Sequence, residues 1–141
     1  WSFVSGQPSA SIRSAAAGGC QGIVLPRRGG CDICPLVIKA SAGTVFRAPL
    51  LRCDSLPEAL AELRRDGWKI SILDGHSRAS LFDRLDDAAR VFVLGGETTG
   101  VGAAVRELAD ESLRIPMANG VESLNVAVTA ALVAFRARLG R

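Results

Sequence analysis

The chain has no apolar run long enough and free enough of charge to span a bilayer; the nearest, residues 126–135, is far too short. It has no G-x-G-x-x-G dinucleotide fingerprint. It has one histidine, His76, and no second C-x-x-C beside Cys31 and Cys34. A closed zinc site would therefore need Cys20 and Cys53 brought in by folding. The expected metal is none, and free cytosolic thiols are the default. The start, residues 1–8, lacks the basic head and apolar centre of a signal peptide. It also lacks an initiating Met, which leads to the expectation that an upstream part is missing. No repeat, low-complexity segment or linker divides the 141 residues, so one domain over 1–141 is expected, in the cytoplasm. Apolar residues make up 48%, which excludes disorder, and a net charge of +3 permits an RNA partner without arguing for one.

What is present is an alternation of short apolar runs and helical stretches. Residues 1–4 read as a short first strand. Ser9 or Ser11 is positioned to cap a helix that runs to about Ala17 and ends at Gly18-Gly19. Residues 22–25 have the continuous apolar character of a buried parallel strand, and 26–30 form a basic, glycine-rich loop. Pro35 suits a first helical turn and Gly43 its end. Residues 45–51 look like an edge strand because Pro49 interrupts them. Leu56, Leu60 and Leu63 mark one face of a helix over 57–66, followed by a strand over 68–73. Residues 77–87 read as loop or a short acidic-faced helix, 91–94 as a strand, 95–102 as a glycine-rich loop and 103–109 as a short helix. Alternation of this kind predicts an α/β fold with a mostly parallel sheet and flanking helices.

The stretch RIPMANGVESLNVAVTAALVAF, residues 114–135, organises the rest. An apolar strand end (Leu113, Ile115) meets Pro116, then a polar turn, Ala118-Asn119-Gly120. A helix is expected to open near Glu122-Ser123. Helix N-termini carry free N–H groups and suit polar or anionic ligands, although a strand, a turn and a capped helix with no site reads equally well. Leu124, Val128, Ala131, Leu132, Phe135 and Leu139 fall on one helix face, and Val126, Ala130, Val133 and Ala137 on a second. A helix apolar on two sides is expected to be covered on both, by its own sheet and by a partner subunit. A second candidate site is VFVLGGETTGV, residues 91–101, where a strand runs into a glycine-rich turn.

Three motifs carry a resemblance. IPM followed by VESLNVAV is similar to the third motif of the SpoU (TrmH-type) RNA ribose 2′-O-methyltransferases, a branch of the SPOUT superfamily; Pro116, Met117, Glu122, Ser123, Leu124 and Asn125 match in order. Gly95, Glu97 and Gly100 resemble the second motif, with Gly96, Thr98 and Thr99 departing from it. Arg13 and Ala15 match the first motif, whereas Gln7 and Ser9 replace its Asn and Gly. The segment KASAG, residues 39–43, also resembles the family, so that the likeness covers nearly the whole chain.

The resemblance implies a C-terminal deep trefoil knot, S-adenosylmethionine as cofactor, a homodimer through the C-terminal helix, and methyl transfer to a ribose 2′-OH of rRNA or tRNA. It implies a cofactor wall of Leu94, Gly95, Glu97, Gly100, Ile115, Met117, Ser123, Leu124 and Asn125. Arg13 would stand near the reacting hydroxyl with Glu122 and Asn125 supporting it, and Arg13, Arg27, Arg28 and Lys39 would touch RNA. A guanidinium stays protonated, so Arg13 suits a phosphate clamp at least as well as a base. The altered first motif keeps open an alternative, a catalytically impaired SPOUT-fold RNA-binding or ribosome-assembly protein.

Overall fold

The structure is a computed structural model that describes residues 2–5, 8–27, 33–83, 86–96 and 100–139. Seven strands build one sheet: β1 (Ser2–Ser5), β2 (Gly22–Pro26), β3 (Leu50–Cys53), β4 (Lys69–Leu73), β5 (Ala79–Ser80), β6 (Arg90–Leu94) and β7 (Glu111–Arg114). Their order is β3-β2-β1-β6-β4-β7-β5. Every neighbouring pair is parallel, in registers such as Phe3 opposite Ile23 and Phe92, and Ile72 opposite Val93 and Ser112. Parallel strands need crossovers; α1 (Pro8–Ala17), α2 (Pro35–Ala40), α3 (Leu56–Arg65) and α4 (Ala103–Leu108) lie in four of them, and α5 (Val126–Leu139) follows the last strand.

Side-chain alternation divides the core into two layers. Ile23, Leu25, Phe92, Leu94 and Leu113 face one side, where Ile12 and Ala15 of α1, Val37 of α2 and Val126, Ala130, Val133 and Ala134 of α5 cover them. Val24, Ile70, Ile72, Val91 and Val93 face the other side, under Leu60 of α3 and Val105 of α4. Gly18 lets α1 end directly on α5, since a Cβ there would fall 2.5 Å from the Cβ of Ala134.

Several expectations need correction. α5 opens at Val126, not near Glu122-Ser123, because Asn125 is the cap: its Oδ1 accepts the Ala127 N–H at 2.8 Å and its carbonyl accepts the Thr129 N–H. Leu124 therefore lies outside the helix. α1 starts at Pro8, so Ser9 and Ser11 are inside it and Ser11 is buried. α2 stops at Ala40, and Gly43 instead opens a 3-10 turn (Thr44–Phe46) with φ of 74°. The edge strand expected over 45–51 is β3, which starts only after Pro49. The 77–87 stretch contains the two-residue strand β5 rather than a helix, because its backbone pairs with β7.

The two faces of α5 differ. The Val126–Ala130–Val133 face is buried in the sheet layer, whereas Val128, Phe135 and Leu139 of the other face are 48%, 44% and 80% exposed. Cys20, Cys34 and Cys53 form no disulfide, and Cys31 lies outside the described residues. Burial pushes the Cys20 and Cys53 thiols up, which keeps them protonated and poorly nucleophilic. Among the described residues no helix is long and apolar enough to cross a membrane.

Candidate functional site

A cleft of about 390 Å³ opens at the carboxyl ends of β4, β6 and β7, the usual place for a ligand in a parallel sheet. Each strand feeds one wall. β4 runs into Leu73, Asp74 and Gly75; β6 runs into Leu94, Gly95 and Gly96; β7 runs into Ile115 and Met117. The stretch Glu122-Ser123-Leu124-Asn125 closes the remaining side, with Val126 and Thr129 from the first turns of α5. The floor is apolar, with Leu94 and Ile115 almost completely buried, while Glu122, Ser123 and Asn125 are exposed at the mouth.

The turn after β6 explains why glycine recurs there. Gly96 and Gly100 exchange both N–H···O=C bonds, at 3.1 and 3.0 Å. Gly100 takes φ of 62°, which favours glycine. A Cβ on Gly95 would fall 2.4 Å from the Gly100 carbonyl carbon. The two outer walls also approach each other: a Cβ on Gly75 would sit 3.8 Å from the Glu122 carbonyl oxygen.

Asp74 is the anchored carboxylate of the cleft. Its Oδ2 accepts from Arg106 Nη1 at 2.5 Å and its Oδ1 accepts the His76 N–H at 3.0 Å. The Arg106 hydrogen bond, followed by the His76 amide, holds the Asp74 carboxyl below the usual carboxylate range. Two carboxylates, Asp74 and Glu122, and no Lys, Arg or His line the cleft among the described residues. A cationic ligand is favoured by that lining.

The structure brings together eight of the nine residues of the expected cofactor wall: Leu94, Gly95, Gly100, Ile115, Met117, Ser123, Leu124 and Asn125. Glu97 lies outside the described residues, as do Gln7 and Arg28. Glu122 joins the cleft, but Arg13 does not line it; it is exposed on α1. Lys39 is exposed in the last turn of α2, and Arg27 is exposed with Asp54 3.4 Å away. Sequence reasoning missed Leu73, Asp74 and Gly75. The signal was there, a strand ending in Leu-Asp-Gly, but its value depends on β4 lying beside β6, which is a fact of strand order.

At the opposite, amino-terminal ends of the same strands, charges are paired for structure. Arg90 is buried, with Nη2 2.6 Å from Asp86 and Nε 2.9 Å from Glu111, and Lys69 lies 2.8 Å from Asp86. A buried cation so surrounded is neutralised locally.

Comparison with known proteins agrees with this architecture. The 23S rRNA (guanosine-2′-O-)-methyltransferase RlmB of Xylella fastidiosa (strain 9a5c) is 39% identical over 129 residues, covering 91% of this chain and 51% of that protein. The chain spans about half the length of the curated relatives it matches. The SpoU methyltransferase AviRb from Streptomyces viridochromogenes, solved in complex with the cofactor AdoMet, superimposes with a TM-score of 0.85 at 30% identity, covering 98% of this chain and 58% of that one. A protein solved to explain the 2-OH methylation of C/U34 on tRNA gives a TM-score of 0.82 at 28% identity and covers 99% of this chain and 97% of its own. The model of the SpoU rRNA Methylase family matches residues 8–135, from the start of α1 into the last turns of α5. With nearly every element of the domain inside that match, the chain belongs to the SpoU rRNA methylase family.

Proposed function

We propose that the chain is the catalytic domain of an enzyme that transfers a methyl group from S-adenosylmethionine to a ribose 2′-OH of structured RNA, rRNA or tRNA. The observation that carries this reading is the cleft. Leu94, Gly95, Gly96 and Gly100 meet Ile115, Met117 and Glu122-Ser123-Leu124-Asn125, far apart in sequence, at the carboxyl ends of β6 and β7 around one space. Its volume of about 390 Å³ lies in the range of small-molecule sites, roughly 300–1,000 Å³. The named relatives and the AdoMet-bound neighbour support the same chemistry.

The residues present fit the cofactor. Leu73, Leu94, Ile115 and Val126 offer apolar surface to an adenine, and the backbone at Gly95 and Gly96 is open to close approach. Glu122 at the mouth favours the positive charge of a sulfonium or an ammonium, and Asp74, already paired with Arg106, adds less. When bound, the cofactor supplies a methyl group made electrophilic by its sulfonium. The chain must then hold the hydroxyl in line and help its proton leave. Asn125 commits Oδ1 to the α5 cap, so its amide nitrogen is the group left to donate at the cleft mouth. Glu122, exposed beside it, is an acceptor for a hydroxyl. Arg13, a cation on the surface of α1 outside the cleft, acts as the clamp that holds an RNA phosphate. Arg27, Arg28 and Lys39 extend the phosphate contacts, and Glu97 completes the cofactor wall.

The trefoil knot follows from the same reading and has support in the path of the chain. After β4 the backbone passes to β5, outside β7, and returns to β6, inside β4. The chain beyond β7 then packs α5 against α1. Residues of the connection grip both: the Leu81 N–H donates to the Arg114 carbonyl, and Arg136 donates to the Asp83 carbonyl at 2.7 Å. The homodimer uses the exposed residues of α5, Val128, Phe135 and Leu139, beside the half-buried Leu132. The compartment is the cytoplasm, where rRNA and tRNA are met.

Titration of S-adenosylmethionine into the wild type, followed by RNA binding and single-turnover methyl transfer with Arg13→Ala, tests the assignment. Cofactor binding by the wild type is expected, with both RNA affinity and turnover falling in the variant. A wild type that binds no cofactor overturns the reading, and unchanged RNA affinity in Arg13→Ala sinks the clamp role.

A further inference from the structure

We propose that Arg106, which lies outside the cleft, is a positioning residue that brackets two of its walls and so sets cofactor affinity. The inference rests on the reading of the cleft as a cofactor site. Arg106 sits on α4, a helix that packs against α3 on the far side of the sheet from α5. Its guanidinium reaches back in two directions. Nε donates to the Val101 carbonyl at 3.0 Å, which anchors the end of the glycine loop that follows β6. Nη1 donates to Asp74 Oδ2 at 2.5 Å, which anchors the turn that follows β4. One rigid fork therefore ties both loops, and its two bonds use different nitrogens whose spacing is fixed by the planar group.

Asp74 passes the constraint onward. Its second oxygen accepts the His76 N–H at 3.0 Å and its own carbonyl accepts the Ser77 N–H, so the turn cannot move without Asp74 moving. On the other wall, Val101 is buried and adjoins Gly100, which exchanges two backbone hydrogen bonds with Gly96. The bracket therefore fixes the separation of Asp74-Gly75 from Gly95-Gly96 across the cleft. The pair is mostly withdrawn from water at Asp74, whose side chain is 17% exposed, and half open at Arg106, 44% exposed. Arg106 can thus be replaced without opening a cavity in the core.

The test combines S-adenosylmethionine titration with backbone hydrogen exchange, on the wild type, Arg106→Leu, Arg106→Lys, Asp74→Asn and the Leu/Asn double variant. Arg106→Leu is expected to weaken cofactor binding about ten-fold, which corresponds to roughly 1.4 kcal/mol. Lys keeps the charge but has one nitrogen, so it should restore part of the affinity. Arg106→Leu removes both bonds and Asp74→Asn one of them, so the double variant should lose less than the sum of the two single losses, since the Arg106–Asp74 bond is broken in both. Exchange should speed up at His76, Gly96 and Gly100 while β6 amides such as Val93 stay protected. Wild-type affinity in Arg106→Leu, or additive losses in the double variant, overturns the bracket. If the wild type binds no cofactor, the function reading fails and hydrogen exchange still decides. Local speeding at the two loops supports the bracket, whereas no change or a uniform change across the sheet overturns it.

Discussion

Replacing Gly95 by Ala puts the site geometry to a numerical test. The added Cβ would lie 2.4 Å from the Gly100 carbonyl carbon, 2.7 Å from Gly100 Cα and 2.7 Å from Val101 N. Ordinary carbon contacts sit near 3.5–4.0 Å, so the backbone of the loop must retreat by about 1 Å. All three obstructing atoms are main chain, and no side chain can swing away instead. Overpacking of this kind costs about 1–3 kcal/mol. Loss of the two Gly96–Gly100 bonds adds about 0.5–1.5 kcal/mol each if the loop opens. A total of about 2–6 kcal/mol follows, concentrated on a loop that lines the cleft. Gly75→Ala is the matched control: it lies in the same cleft, and its Cβ would meet one atom, the Glu122 oxygen, at an ordinary 3.8 Å. Urea denaturation should place Gly95→Ala at least 1 kcal/mol below Gly75→Ala, and cofactor titration should show at least a ten-fold loss in the first. Equal stability and equal affinity in the two variants would refute the reasoning.

Asn125 is given two jobs, and two substitutions separate them. Asn125→Ala removes the α5 cap and should cost about 1 kcal/mol in urea denaturation along with methyl transfer. Asn125→Asp keeps the capping oxygen but not the amide donor, so it should be as stable as the wild type and still fail to transfer; an active Asp variant would leave only the cap. The pH dependence of stability has a sign at each end. Asp74 is held below the usual carboxylate range, mainly by Arg106, so its contribution is present above about pH 4 and lost as pH falls through its lowered value. Lys69 is pushed up, mainly by its hydrogen bond to Asp86, so its contribution is present below about pH 10.4 and lost as pH rises through its raised value. Denaturation against pH should show both limbs, and Asp74→Asn should lessen the acid one, to which Asp86 also contributes through its bond to Lys69, and leave the alkaline one in place; an unchanged acid limb would contradict the Arg106–Asp74 pairing.

Local signals were legible where they came from short-range physics. The continuous apolar runs at 22–25 and 91–94 are β2 and β6, buried on both faces as parallel strands must be. The Leu56-Leu60-Leu63 face marked α3, capped by Ser55, whose hydroxyl accepts the Glu58 N–H. The two apolar faces of α5 were also legible, though only the structure separates the buried one from the exposed one. The start of α5 was misplaced because Ser123 is a good capping residue by type; Asn125 takes the cap since the chain up to 125 stays irregular along the cleft wall. Strand β5 could not be read, because two residues pair with β7 only through the crossing of the 74–90 connection. Asp74 was missed for the same reason. Its partner Arg106 is 32 residues away, and nothing local joins them.

The central claim is tested most directly by where the methyl group goes. Tritiated S-adenosylmethionine would be incubated with the protein and total RNA, and the labelled RNA digested with alkali. A 2′-O-methylated nucleotide has no free 2′-oxygen to attack its own phosphate, so the linkage beside it survives. Label in alkali-resistant dinucleotides, lost with Asn125→Ala, is the expected result. Label found only in mononucleotides, or no label although the cofactor binds, would contradict ribose methylation by this domain.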